Sequence, residues 1–362
     1  MKSNFHFTSI LLVFLTFLCS CKGQETTKPI TESSTFSIKK VLADSIDQLA
    51  DTLPEFKNDL NAKESQGNQI SGVIRTMFQD SKKNYWFGTQ NGLCRYDGYD
   101  LVYYDLKASN GQGVVVHAIL EDKNGHIWIG YGGGIAKYDG TYFTNYYEKN
   151  ILVNSGLWSM AMDRNGLLWI GTIYGVYTFD GYAFQPFEIP EGKVDPTKGV
   201  STTKMIHSIM EDSKGMMWFG TNGGAYRYDS NILTHFSEKD GLNNNVINSI
   251  IEDRNNQYWF ATDNGLYRFD GTSFTNILKN TEIEGKGVGD IIEDRNGSIW
   301  FELKNFGVYS YDGKTLTNYP KEEGMSFEIY EDLLGRLWFV GFKGAYRMDG
   351  NTFVNVNRNG PW

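Results

Sequence analysis

Seven tryptophans recur along this chain at nearly equal intervals: Trp86, Trp128, Trp169, Trp218, Trp259, Trp300 and Trp338, separated by 42, 41, 49, 41, 41 and 38 residues. Six residues before each stands an aspartate: Asp80, Asp122, Asp163, Asp212, Asp253, Asp294 and Asp332. A second aspartate follows eleven residues after the tryptophan, or twelve in the sixth copy: Asp97, Asp139, Asp180, Asp229, Asp270, Asp312 and Asp349. A period near 41 residues with three fixed landmarks marks a repeat architecture, in which each unit buries its faces against its neighbours.

The second copy shows what one unit does. Val116 to Glu121 reads as a strand that ends at Asp122, and Lys123-Asn124-Gly125 turns the chain. Ile127 to Gly130 is the next strand, Gly132-Gly133-Gly134 a second turn, and Ile135 to Tyr138 a third strand. Asp139-Gly140 is a two-residue turn of the kind that tolerates positive φ, and Tyr142 to Tyr146 is the fourth strand. Four antiparallel strands in about 41 residues make a propeller blade. Three residues before the first aspartate every copy is apolar (Met77, Ile119, Met160, Ile209, Ile250, Ile291, Ile329). So is the position after the turn that opens at the second aspartate (Leu101, Phe143, Phe184, Leu233, Phe274, Leu316, Phe353). The reading is an all-β protein, a seven-bladed β-propeller over residues 70–357 with four antiparallel strands per blade.

Composition agrees: 40 glycines and 15% aromatic residues suit many tight turns around a large core. A formal charge of −9 argues against nucleic acid, which would require a basic stripe. The aspartates at turns have a backbone explanation, because their side chains hydrogen-bond locally. Fragments such as Asp163-Arg164-Asn165-Gly166 lack the alternating ligands and bidentate Glu of a calcium loop.

The motif resembles the two-component regulator propeller repeat, here Ile209-Met210-Glu211-Asp212-Ser213-Lys214-Gly215-Met216-Met217-Trp218-Phe219-Gly220-Thr221 and on through Tyr228-Asp229. It departs in the last three copies, where the glycine two places after Trp becomes Ala261, Glu302 and Val340. The resemblance implies a propeller similar to the periplasmic sensing half of hybrid histidine kinases. The N-terminus resembles a bacterial lipoprotein signal: Lys2, an apolar run from Ile10 to Leu18, then Cys19-Ser20-Cys21. Residues 1–21 are therefore expected to be a signal peptide ending at a lipid-bearing Cys21, with anchorage to a membrane at the periplasmic or outer-membrane surface. Residues 22–69 are expected to be a tether, with an amphipathic helix possible between Ile38 and Leu60. Cys94 would then be the one mature thiol, a buried strand residue without chemistry.

Strand direction assigns the faces. The Asp-x-x-Gly turns and the Tyr-Asp-Gly turns share one face; the turn after Trp and the long inter-blade connections share the other, which is the expected binding face. Five residues before each first aspartate the repeat fails: Arg75, His117, Trp158, His207, Asn248, Gly289 and Phe327. Arg75, His117, Trp158, His207, Asn248 and Phe327 are the candidate ligand-binding residues, ringing the central opening. Tyr131, Tyr174, Asp263, Asn264, Lys304 and Phe342 are expected around them. Trp158 and Phe327 suit an apolar ring or sugar face, and Arg75 a carboxylate.

Three functions fit this reading: a ligand-binding or sensor-like protein for a small molecule or oligosaccharide, a scaffold for another envelope protein, or an enzyme. The enzyme reading rests on His117 and His207, because virginiamycin B lyase has a similar blade pattern with metal-linked histidines. Side chains roughly 8 Å from the axis and two blades apart would sit about 12 Å from each other, too far for one metal. No metal, cofactor or catalytic residue is therefore assigned, and the chain is expected to be a monomer.

Overall fold

Each repeat folds into one antiparallel sheet whose strands are neighbours in chain order, giving seven sheets around a common axis. In this computed structural model the described residues are 57–58, 67–105, 114–146, 156–192, 202–304, 307–319 and 325–362. The inner strands are Ile74–Gln79, Val116–Glu121, Leu157–Met162, Ile206–Glu211, Ile247–Glu252, Val288–Glu293 and Met325–Glu331. The second strand of every blade, which carries the tryptophan, is buried along its whole length, as in Tyr85–Thr89 and Met217–Thr221. It lies between two blades, so both of its faces must be apolar.

The landmark residues hold each blade together. All seven tryptophans donate their indole N–H to Oδ2 of the aspartate six residues earlier, at 2.8–3.1 Å. The other carboxylate oxygen closes the turn; Asp212 Oδ1, for example, accepts from Lys214 N at 3.0 Å and Met216 N at 2.8 Å. Both oxygens are thus committed to the fold, which accounts for an aspartate at a fixed offset from Trp. Asp97, Asp139, Asp180, Asp229, Asp270 and Asp312 close the last turn of their blades in the same manner, Asp139 Oδ1 accepting from Thr141 N and Tyr142 N at 2.8 Å. In blade seven the Asp349 carbonyl accepts from Thr352 Oγ1 at 3.0 Å.

Neighbouring blades pack through the tryptophans. Trp86 of blade one lies in a cluster with Val116, Ile119 and Ile129 of blade two. The glycine two places after Trp permits this approach: a Cβ on Gly88 would stand 2.5 Å from Thr76 Cγ2 and 2.7 Å from Val116 Cγ1. On the turn face a side chain of each next blade clasps the last. The N–H of Ser81, Arg164, Ser213, Arg254 and Arg295 donates to Glu121, Glu211, Glu252, Glu293 and Glu331 respectively, at 2.6–2.9 Å. Gln79 takes this part for Leu333 N at 2.8 Å. Between blades two and three Met162 occupies the position, and Lys123 Nζ instead reaches the Arg164 carbonyl.

Each blade is one continuous stretch of chain, so the ring closes by side-chain and edge contacts between blades seven and one. Ile70, Ile74, Met77 and Phe87 share a core with Trp338, Val340, Ala345 and Val356. Gln69 bridges to Asn357 and Val73 to Phe342. Arg358 N donates to the Asn68 carbonyl at 3.1 Å, and Trp362 stacks on Tyr96 with ring centroids 3.8 Å apart. Lys57–Asn58, expected in the tether, pairs with Tyr104 and Asp105 as a fifth strand of blade one. The rest of the expected helix, and Cys21, lie outside the described residues. Cys94 is buried in the closing core, where burial pushes its thiol pKa upward. Among the described residues no helix is long and apolar enough to cross a membrane.

Candidate functional site

Every inner strand carries a bulge at its loop-face end. Ile74 lies opposite Thr89 and Thr76 opposite Gly88, so Arg75 is an extra residue without a partner. His117, Trp158, His207 and Asn248 are skipped in the same way. In blade six the slip falls across Gly289 and Asp290, and in blade seven across Ser326 and Phe327. A bulge re-aims a side chain that regular pairing would fix. The residues at which the repeat fails are therefore those the backbone releases toward the axis.

All six predicted residues, with Gly289, line one central cavity of about 390 Å³. Strand alternation would send the following residue to the opposite side, but the bulge brings it in as well. Thr76, Ala118, Ser159, Ser208, Ser249, Asp290 and Glu328 form a second ring in the same cavity. The two carboxyls of this ring were not singled out from sequence. Asp290 Oδ1 accepts from Ser249 Oγ at 3.1 Å and Oδ2 from Ile329 N at 2.9 Å; Glu328 Oε2 accepts from Met77 N at 2.8 Å. Burial, then the nearby Asp290 charge, pushes Glu328 up to about 8, and burial pushes Asp290 up to about 6.

A second constant offset organises the mouth: in blades one, four, five and seven the residue four places after Trp meets the bulge residue of its own blade, fifteen positions apart in sequence. Arg75 Nε and Nη2 donate to Gln90 Oε1 at 3.1 and 3.0 Å. His207 Nε2 and Asn222 Oδ1 are 2.7 Å apart, and Asn222 Nδ2 donates to the Thr202 carbonyl at 3.0 Å. Asn248 Nδ2 donates to Asp263 Oδ1 at 2.9 Å, and the Phe327 and Phe342 rings lie 4.8 Å apart. Asp263, Lys304 and Phe342 thus stand where expected, while Gln90 and Asn222 were missed although the same offset from Trp marks them. Tyr131 is a correction. It does not ring the mouth: it is 1% exposed and packs in the core between blades one and two, because it ends the buried second strand.

The mouth divides into two halves. Across blades four to six the polar groups satisfy one another. Lys304 Nζ donates to Asp263 Oδ1 at 2.6 Å and to Asn248 Oδ1 at 3.3 Å. Burial opposes ionisation of Asp263, but hydrogen bonds from Asn248 and Lys304 outweigh it and hold the carboxyl below its usual range. Across blades seven, one, two and three the surface is cationic and aromatic. The Arg75 guanidinium lies 4.3 Å over the Phe327 ring, and His117 stacks on Trp158 at 5.0 Å. Burial, then the Arg75 charge, pulls His117 down to about 4. Burial likewise lowers His207, with Lys304 adding to it against the Asn222 hydrogen bond. Both shifts favour the neutral imidazole. Each is already engaged, and among the described residues no three His, Cys, Asp or Glu side chains group to hold a metal ion.

Five segments match the two-component regulator propeller family: residues 68–91, 110–133, 151–174, 201–223 and 241–264. Each takes in an inner strand and the tryptophan strand of blades one to five. No curated protein matches the chain. Among solved structures it is similar to the extracellular domain assigned to a hybrid two-component system of B. thetaiotaomicron, at 25% identity and a TM-score of 0.64. That match covers 82% of this chain and 41% of the other, so the chain spans less than half of that structure. Virginiamycin B lyase from Staphylococcus aureus, in a catalytically inactive form with quinupristin, matches at 17% identity and a TM-score of 0.62, covering 81% of this chain and 97% of the lyase. PorZ, a surface component of the type-IX secretion system of Porphyromonas gingivalis, matches at 14% identity and a TM-score of 0.55, covering 76% and 46%. The last two share the fold alone. The chain carries two-component regulator propeller repeats in blades one to five, closes into seven blades and is similar to the extracellular domain of a hybrid two-component system.

Proposed function

We propose that this protein is a sensor-like, ligand-binding propeller of the bacterial cell envelope, held to a membrane through lipid on Cys21 and binding in the central cavity of its loop face. One observation carries the reading: the seven bulge residues, of six different types, converge on a single cavity of about 390 Å³ while the regular residues of the repeat are consumed by the fold. A volume of this order accommodates a small molecule or a terminal residue of an oligosaccharide or peptide. Trp158 and Phe327 supply stacking surfaces, and the polar groups around them fix orientation.

A thermal-shift screen of the protein against oligosaccharides, peptides and small organic ions tests this, since a ligand that binds only the folded state raises the melting temperature by mass action. The expected hit shifts the native protein by several degrees and loses that shift in Trp158→Ala. A hit whose shift survives Trp158→Ala, Arg75→Gln and His207→Ala together would move binding away from the cavity and favour a scaffold for an envelope protein. Metal-dependent turnover abolished by His117→Ala or His207→Ala would instead support an enzyme similar to the lyase. Anchorage is separately testable: Cys21→Ser should release the protein from the membrane fraction, and a variant that still sediments with membranes overturns the lipid.

A further inference from the structure

We infer that the ligand carries an anionic group on a flat apolar body, the anion meeting Arg75 and the body lying against the aromatic half of the mouth; the inference rests on the cavity being the binding site. Among the described cations that line the cavity, Arg75 and Lys304, charge is unbalanced at one. Lys304 is neutralised by Asp263 at 2.6 Å. Arg75 has no such partner: among the described residues no carboxylate lies within ion-pair distance of it, and its only hydrogen-bond acceptor is the neutral Gln90 Oε1.

The surroundings keep that charge available. Gln90 takes two of the five guanidinium donors, and Phe327 supports the group from one side at 4.3 Å. The side chain is therefore held in place before any ligand arrives. The neighbouring His117 is neutral and brings no competing charge. Glu328, one blade away, is turned to Met77 N and is not a counter-ion. A planar guanidinium fork matches carboxylate and phosphate alike, so the shared chemistry is an oxyanion.

The apolar part follows from exposure. Among the described residues of the loop face the exposed large apolar side chains are Trp158 at 39%, Tyr174 at 58% and Phe342 at 49%. All three belong to blades three and seven, which flank Arg75 and His117 in blades one and two. The other exposed large apolar residues, Tyr99, Tyr142, Tyr182, Ile232, Leu333 and Leu334, sit at the turns of the opposite face. Aromatic surface and uncompensated cation thus coincide on one half of one mouth, and the half across from it is closed by its own hydrogen bonds.

Calorimetric titration of the full-length protein tests this with three probes sharing one ring system: naphthalene-2-carboxylate, 2-naphthyl phosphate and the neutral naphthalene-2-carboxamide. At least one anion should bind about tenfold more tightly than the amide, the worth of a charge-assisted hydrogen bond. Arg75→Gln should erase the preference, Arg75→Lys retain part of it, and Trp158→Ala weaken all three probes alike. An amide that binds as well as both anions, with binding lost in Trp158→Ala, overturns the anionic inference and leaves the cavity as the site. A preference that survives Arg75→Gln overturns it too, as does an absence of binding by all three probes; the cavity reading itself is then decided by the thermal-shift screen.

Discussion

Glu328 and Asp290 occupy a position that holds a hydroxyl or a methyl in the other five blades, namely Thr76, Ala118, Ser159, Ser208 and Ser249. Backbone N–H groups of the next blade donate to both carboxyls, yet burial dominates and each holds its proton to a higher pH than an ordinary carboxyl, Glu328 more strongly than Asp290. The folded protein holds the Glu328 proton up to about pH 8, whereas the unfolded chain releases it near the ordinary 4.5. The unfolded state therefore binds fewer protons between these values, and stability falls as pH rises through that window. Glu328→Gln keeps the shape and cannot ionise. Its stability should match the parent at pH 4 and exceed it at pH 9 by on the order of 1–3 kcal/mol, discounted because the side chain borders cavity water. Urea unfolding across this pH range checks it, and parallel curves for the two proteins would refute it.

Strands and blades were legible in the sequence because their physics repeats. A Trp that must fill each inter-blade gap, and an aspartate that must hold its indole, leave a spacing any reader can count, and strand direction then separates the two faces. The bulges were not legible. A bulge is a fact of register between two strands, and no residue type marks it here, since Arg, His, Trp, Asn and Phe all stand at it. The failure of the repeat at that position was visible; its cause, and the second ring with Asp290 and Glu328, were not. Gln90 and Asn222 were missed for a different reason: their offset of four from Trp can be counted, but that it faces the bulge residue fifteen positions earlier shows only once the hairpin is built. Close packing between elements gives a firm expectation at Gly88. An alanine there places its Cβ 2.5 Å from Thr76 Cγ2, 2.7 Å from Val116 Cγ1 and 3.0 Å from the Val116 carbonyl. Gly88→Ala should destabilise by about 1–3 kcal/mol, read as a lower denaturant midpoint with an unchanged slope. An unchanged midpoint would mean that the blades are free to shift apart.

For the whole molecule the decisive contact is the closure of the ring. Six seams join blades that follow one another along the chain, and the seventh joins its two ends. That seam adds to the shared apolar core the edge bridges Gln69–Asn357 and Val73–Phe342 and the stack of Trp362 on Tyr96. Arg347 Nη1 also donates to the Trp362 carbonyl at 3.3 Å. Trp362→Ala should therefore lower stability by about 1–3 kcal/mol, and hydrogen exchange should quicken first in blades one and seven. Uniform quickening over all seven blades would show instead that the ring opens as one unit.

The bulges carry a consequence for descent as well as for binding. Because the bulged residue bears no ladder partner and takes no part in the Trp–Asp hydrogen bond, its identity is less constrained by the fold than that of the framework residues. Mutation can respell seven positions around the axis, one blade at a time, while selection on the frame stays satisfied. Related propellers would then diverge fastest at these sites, and grafting the seven residues of one onto another should exchange their preferences without exchanging their scaffolds.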